Sequence, residues 1–103
     1  MTVGKPRDGF WGCTLTHFIP AAPGIAAGMA LCGKIVFTYS IGNFPTLRCI
    51  EQIRNDVCYH NADVKIVSVG GGLGYGALGM THHNTEDIAM MRSDMAASAN
   101  LIR

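Results

Sequence analysis

The sequence is short of charge. Asp, Glu, Lys and Arg make up 15% of its 103 residues, and the net charge is only +1, whereas soluble domains average about 25% charged residues. Like charges form no runs, which argues against nucleic acid or an anionic membrane surface as a partner. Hydrophobic residues make up 49%, and a chain of this length buries only about two-thirds of its unfolded surface. We therefore expect part of the apolar surface to be covered by a partner.

The sequence also lacks a hydrophobic run of the roughly 20 residues that cross a bilayer. Residues 1–8 are polar and do not resemble a secretory leader. These absences predict a cytoplasmic protein without membrane association. Cys13, Cys32, Cys49 and Cys58 include no CxxC pair, which favours reduced, buried thiols over disulfides or a zinc site.

The two ends of the chain differ in pattern from its middle. Residues 1–22 show neither alternation nor a helical stripe, and their Pro and Gly spacing predicts an irregular segment. The domain is predicted over residues 23–93, and residues 94–103 form a C-terminal tail. PGIAAGMALCG (residues 23–33) is small, apolar and closed by Gly33, which predicts a short helix.

Two apolar strands flank a second helical pattern. KIVFTYS (residues 34–40) predicts a strand buried on both faces, and DVKIVSV (residues 63–69) predicts another. Between them, residues 43–61 predict a helix with Asn43 as a possible cap. Its apolar stripe consists of Leu47, Ile50, Ile53 and Val57.

Strand, helix and strand in succession predict a parallel, right-handed βαβ crossover, and hence an α/β fold with a short parallel sheet. Ligands of such sheets bind beyond the carboxyl ends of the strands, so the loops that follow the two strands are expected to face one site. A last helix is predicted over residues 84–95, with Asn84 or Thr85 as its cap and acids in its first turn.

A glycine-rich loop follows the second strand. GYGALG (residues 74–79) fits the GxGxxG pattern of dinucleotide-binding folds. The predicted helix starts too late to offer its N–H groups to a pyrophosphate, and no strand ending in an acid follows. A turn with close backbone packing is therefore favoured over a small dinucleotide-binding module. The absence of GK[ST] excludes a Walker P-loop.

Five side chains near these loops could serve a site. His82 and His83 are adjacent, so on an extended segment they point apart and do not share a metal ion. One imidazole can face a site and exchange a proton, or it can fix the loop backbone; the sequence leaves both open. Phe37, Tyr39 and Phe44 lie around the first loop, where they either belong to the core or stack on a planar heterocycle.

Three segments between residues 24 and 93 carry a resemblance to one family. They are EQIRND (residues 51–56), the strand leading into the glycines, and LGMTHHNTEDIAMMR (residues 78–92). Together they resemble the pyrimidine-binding domain of transketolase and its relatives, thiamine diphosphate enzymes that transfer two-carbon units between sugars. The last segment is similar to the family's G-x-T-H motif followed by an acidic helix start.

The resemblance implies specific roles. His82 falls on the motif histidine, which in relatives lies near the thiazolium and the sugar substrate, so a catalytic role is implied. Phe37, Tyr39 and Phe44 occupy the stretch that supplies the aromatic pocket for the cofactor's pyrimidine ring; which of them stacks is left open. The implied substrate is a sugar phosphate. The implied cofactor is thiamine diphosphate with Mg²⁺, whose diphosphate and metal are held by a separate domain. No metal ligand is therefore expected in this chain. We expect instead a homo-oligomer or a partner subunit that carries that domain.

The sequence departs from the family at one chemically important place. Relatives carry a G-I-A-E-Q-type motif whose glutamate contacts the pyrimidine ring, but the corresponding stretch here, HFIPAAPGIAAGMA (residues 17–30), has no Glu or Gln. The family's preceding strand and helix are not matched either, so a truncated pyrimidine-binding domain is expected. Two outcomes stay open: a ketol-transfer component that is inactive alone, or a non-catalytic remnant that oligomerises.

Overall fold

The computed structural model describes residues 2–3, 10–14, 21–93 and 101–102. Its strands are β1 (Thr2–Val3), β2 (Phe10–Thr14), β3 (Ile35–Ile41), β4 (Val64–Val69) and β5 (Leu101–Ile102). Its α-helices are α1 (Ala22–Leu31), α2 (Asn43–Thr46), α3 (Ile50–Gln52) and α4 (Asp87–Ser93). The other helical segments are 3-10 turns at Leu47–Cys49, Gly76–Leu78 and Met80–His82 and a π-helical segment at Ile53–Cys58.

The strands form one sheet in the order β1-β2-β3-β4-β5, in which only the β1–β2 pair is antiparallel. The predicted α/β class and the parallel βαβ crossover from β3 to β4 are confirmed. Irregular chain was predicted before Pro23, whereas Phe10–Thr14 pairs in parallel with β3. Pairing with a strand more than 20 residues away is a tertiary contact, which local Pro and Gly spacing does not report.

Helix α1 ends as its sequence predicts. Gly33 adopts a φ of +81°, and its N–H donates to the Ala30 carbonyl at 2.8 Å. This left-handed residue closes the helix and directs the chain into β3.

The predicted helix over residues 43–61 is present as four consecutive helical segments from Asn43 to Cys58. Ile53 and Val57 are fully buried as expected, but Leu47 is 43% exposed and Cys49 is buried instead. The reason is the 3-10 turn at Leu47–Cys49, because its three residues per turn advance the buried face relative to an α-helix.

The hydrophobic core lies on one face of the sheet. Val36, Val64 and Ile66 pack there with side chains from the three crossovers, namely Ala26, Ala27, Cys49, Ile53, Val57, Ala62 and Met91. The opposite face is open enough that Ile35 and Tyr39 are 48% and 51% exposed. The prediction that β3 is buried on both faces is therefore wrong, because the described helices all pack against the same side of the sheet.

Candidate functional site

The carboxyl ends of β3 and β4 bring two loops together, as predicted. The Gly42 N–H, directly after β3, donates to the carbonyl of Val69, the last residue of β4, at 2.7 Å. Further along the second loop, Gly72 and Asn84 exchange two backbone hydrogen bonds of 2.8 and 2.9 Å. The second loop is thereby closed into a compact turn beside the start of α2.

At this edge Phe44 and His82 are in ring contact. Their centroids lie 5.3 Å apart, and their planes are tilted by 57°. The Arg48 guanidinium lies over the Phe44 ring, with Cζ 4.1 Å from the centroid, an arrangement that favours a cation–π contact. Nδ1 of His82 lies 3.0 Å from the Thr81 hydroxyl. The structure thus joins a partly exposed aromatic ring, an imidazole and a positive charge.

Asn43 ties the two loops together beside this pair. Its Nδ2 donates to the carbonyl of Thr81, so the residues preceding Phe44 and His82 are bonded to each other. Its Oδ1 is buried and has no hydrogen-bond partner among the described residues. Asn43 was predicted as a helix cap, but no capping hydrogen bond is present at the start of α2; the residue serves the tertiary contact instead.

A buried polar network lies beneath the two rings. The Thr46 hydroxyl lies 2.7 Å from the Gly42 carbonyl and 3.2 Å from Asn84 Oδ1, so two acceptors share its single proton. Asn84 Nδ2 donates to Ser68 Oγ at 3.1 Å and to Asp87 Oδ2 at 2.9 Å. Thr46, Ser68, Asn84 and Asp87 are each at most 1% exposed. Sequence reasoning missed the network, since it treated Asn84 as a helix cap and Asp87 as a first-turn acid that favours the helix dipole. The signal for it, polar residues at the carboxyl ends of both strands, becomes meaningful only once the strands are paired.

The helix after the loop begins later than predicted, at Asp87. Asp87 Oδ1 accepts a hydrogen bond from the Ile88 N–H at 2.8 Å. Asn84 is engaged in the network, so neither of the predicted caps stands next to the first helical residue.

Close packing requires glycine at two positions of the glycine loop. A Cβ at Gly70 would collide with the Tyr75 ring, and one at Gly74 would lie 2.9 Å from the Gly70 Cα. Gly70 also has a φ of +74°. The predicted close backbone packing is confirmed.

The two histidines take different places. His83 Nε2 lies 3.4 Å from the Gly76 carbonyl, where it supports the loop backbone. His82 instead contacts Phe44. Of the two roles that the sequence left open, support of the loop backbone is thus taken by His83, and the proton-exchanging role stays a prediction for His82.

Phe37 and Tyr39 are not brought to the Phe44–His82 pair by the strand pleat. In β3 the side chains of residues 36, 38 and 40 are buried against the helices, and alternation turns Phe37 and Tyr39 to the other face of the sheet. Their register partners there are Lys65 and Val67. Of the three predicted aromatic residues, Phe44 alone lies beyond the strand, in α2 at the carboxyl edge.

The Cys49 thiol lies beside the Phe44 backbone. Burial raises the pKa of the Cys49 thiol from 9.0 to about 11, while the Arg48 charge opposes the shift, so this thiol is neutral at pH 7. It donates a weak hydrogen bond to the Phe44 carbonyl at 3.5 Å. The chain's two glutamates, Glu51 and Glu86, are both exposed.

In the part of the chain that the structure describes, no cluster of three or more His, Cys, Asp or Glu side chains could bind a metal ion. Within the same residues, no helix has the length and apolar character needed to cross a membrane.

Comparison with known proteins identifies the family of this chain. The family model "Transketolase, pyrimidine binding domain" matches residues 20–96. An apulose-4-phosphate transketolase subunit of Phocaeicola vulgatus is 47% identical over 72 residues, which are 70% of this chain and 23% of that protein. The putative transketolase C-terminal section of Methanocaldococcus jannaschii is 47% identical over 70 residues, 68% of this chain and 22% of that protein.

A third relative, the 6-deoxy-6-sulfo-D-fructose transketolase subunit SqwH of a Clostridium species, is 39% identical over 70 residues, 68% of this chain and 22% of that protein. The chain thus spans less than a quarter of the length of these relatives. Because the family model covers most of the sequence, the chain belongs to the transketolase pyrimidine-binding domain family.

Proposed function

We propose that this chain is the pyrimidine-binding component of a thiamine diphosphate-dependent transketolase and that it is inactive alone. The observation that carries the proposal is the Phe44–His82 ring pair at the carboxyl edge of the parallel strands. A planar heterocycle can stack on an aromatic ring at such an edge. The position fits the family's cofactor, and we assign the stacking role to Phe44 rather than to Phe37 or Tyr39.

The polar groups around Phe44 fit an aminopyrimidine. Asn43 Oδ1 is a buried acceptor without a partner among the described residues, and an amino group is the complementary donor. Bound thiamine diphosphate would supply a nucleophilic carbon that accepts the two-carbon unit. This chain's part is to hold the pyrimidine ring by Phe44 and Asn43.

His82 is proposed to act on the substrate. If the Thr81 hydroxyl donates to Nδ1, the imidazole proton resides on Nε2, from which it can be donated to a sugar oxygen. We propose a sugar phosphate as the substrate, in keeping with the family and with the name of the Phocaeicola relative.

The diphosphate and Mg²⁺ are proposed to bind a companion subunit. Relatives of this chain are named as transketolase subunits. Around the site the second loop exposes Leu73 (64%), Leu78 (55%) and Met80 (85%), apolar side chains of the kind that an interface between proteins covers. A homo-oligomer is the alternative assembly. We also propose a cytoplasmic location.

The test measures binding of thiamine diphosphate with Mg²⁺ by calorimetry, using the full chain with and without a co-expressed companion subunit. Phe44→Ala should weaken binding about twofold to thirteenfold, which corresponds to the roughly 0.5–1.5 kcal/mol of an aromatic pair. Tyr39→Ala is the matched control, and its affinity should equal that of the unmodified chain. Equal losses for both variants would contradict the assignment of Phe44.

Turnover is tested separately by following ketol transfer from a ketose phosphate to an aldose phosphate. Activity in the mixture but not in either chain alone is expected. If the mixture binds the cofactor without transferring ketol units, a non-catalytic remnant is the better description. The exposure of both Glu51 and Glu86 favours that second candidate, because relatives use a glutamate at the pyrimidine ring.

A further inference from the structure

Asn84 lies two residues after His82 and is completely buried. We propose that Asn84 is a positioning residue: through its side-chain bonds it holds the segment of His82 against the segment of Phe44 and so fixes the contact of the two rings. Its significance for ketol transfer rests on the proposed function, whereas its effect on ring geometry does not.

The Asn84 amide uses both of its ends. Oδ1 accepts from Thr46, and Nδ2 donates to Ser68 and to Asp87. These partners belong to α2, to β4 and to α4, so a single side chain fastens three elements at the carboxyl edge. No other residue type of this size offers an acceptor and two donors on one planar group.

Two side-chain hydrogen bonds, here called ties, join the segment of Phe44 to the segment of His82, one on each side of the ring pair. On one side, Asn43 next to Phe44 bonds the carbonyl of Thr81 next to His82. On the other side, Thr46, two residues beyond Phe44, bonds Asn84, two residues beyond His82. Both ties span 38 residues of sequence. Loss of the second tie leaves the two segments joined at one end only, and the rings are then free to change their distance and tilt.

The space around Asn84 leaves it no alternative position. Gly42 faces its amide so closely that a Cβ would lie 2.8 Å from the Asn84 Cγ. Replacement by aspartate would keep the shape but place a carboxylate where Nδ2 now lies 2.9 Å from Asp87 Oδ2, and two like charges at that distance repel. Shape and hydrogen-bond polarity are thus both specified.

The experiment records the ring proton signals of His82 by NMR in the full chain without cofactor. A nearby Phe ring shifts these signals, so Phe44→Leu provides the value for a lost contact. In Asn84→Ala, the His82 signals should move at least halfway to that value, while the amide signals of β3 and β4 keep their native positions. A purely structural role would lower the melting temperature and leave the His82 signals of the folded molecules unchanged; that result would overturn the proposal.

A second pair of variants decides the matter if Asn84→Ala does not fold. Thr46→Val keeps the shape but removes the hydroxyl, and with it the bonds to Asn84 Oδ1 and to the Gly42 carbonyl, whereas Thr46→Ser keeps the hydroxyl. Movement of the His82 signals in the valine variant alone supports the proposal, and unchanged signals in it refute the proposal. Failure of the unmodified chain and its companion to bind thiamine diphosphate would count against the proposed function only.

Discussion

Replacing Gly42 by alanine should destabilise the protein by about 1–5 kcal/mol. The backbone is not the cause, since Gly42 has a φ of −49° and a ψ of −47°, which alanine adopts readily. The added Cβ would instead overlap the Asn84 amide and lie 2.9 Å from Ser68 Oγ. Overpacking of a buried site costs roughly 1–3 kcal/mol, and a buried polar group that loses its partner costs roughly 1–3 kcal/mol more. Alanine's helical advantage of about 0.5–1 kcal/mol offsets part of this.

The measurement is equilibrium unfolding in urea, followed by far-ultraviolet circular dichroism. Gly28→Ala is the matched control, because Gly28 lies in the middle of α1 and a Cβ there would meet nothing within 4 Å. That variant should gain about 0.5–1 kcal/mol. If the free energy of unfolding of Gly42→Ala lies within about 0.5 kcal/mol of that of the unmodified chain, Gly42 does not approach Asn84 as closely as described.

A double variant identifies the atoms responsible. Asn84→Ala removes the group that the new Cβ would strike, so Gly42→Ala should cost less in that background than in the native one. Residues in direct contact show such coupling, whereas independent sites add their effects. Strict additivity would mean that the cost of Gly42→Ala arises away from the Asn84 side chain.

Two further predictions concern the core. Burial raises the pKa of Cys49 to about 11, so the native state retains a proton that the unfolded chain releases near pH 9. The free energy of unfolding should therefore fall as pH rises from about 9 to 11, by at most about 1.4 kcal/mol per pKa unit. The Cys49→Ala chain should lack this contribution; parallel losses in both chains between about pH 8 and about pH 10.5 would refute it. Ile53→Val should cost about 0.5–1.5 kcal/mol in urea unfolding because Ile53 is fully buried. The same change at Ile25, which is 42% exposed, should cost less than about 0.5 kcal/mol, and equal costs would contradict the assigned core.

Strands β3 and β4 and helix α1 could be predicted because their signals are local. The β-branched runs that became β3 and β4, and the left-handed Gly33 after α1, depend on neighbouring residues alone. Strand β2 could not be found in this way, because its pairing with β3 supplies the hydrogen bonds that define it. The exposure of Tyr39 was missed for a related reason: which face of a strand is covered depends on where the helices pack.

The candidate site, too, could be predicted only in part. His82 was predicted from a family motif and Phe44 from the stretch after the first strand, whereas the network beneath them was not predicted, because Ser68 and Asn84 carry no motif. Asn43 and Asn84 both suggested helix caps, the commonest use of asparagine before a helix. Tertiary hydrogen bonds took both side chains instead, an outcome that single-sequence patterns do not contain.

The buried network also determines when the site can exist. Thr46 and Asn84, like Asn43 and Thr81, are 38 residues apart, so neither tie forms before β3 and β4 have paired. Contacts of such separation form late in folding, because loop closure must precede them. The sheet can keep its hydrophobic core when the second loop opens, since the core residues lie on the helix-covered face. We therefore expect opening of that loop to separate His82 from Phe44 without global unfolding, so that the stability of the ring pair depends on the Asn84 network rather than on the whole domain.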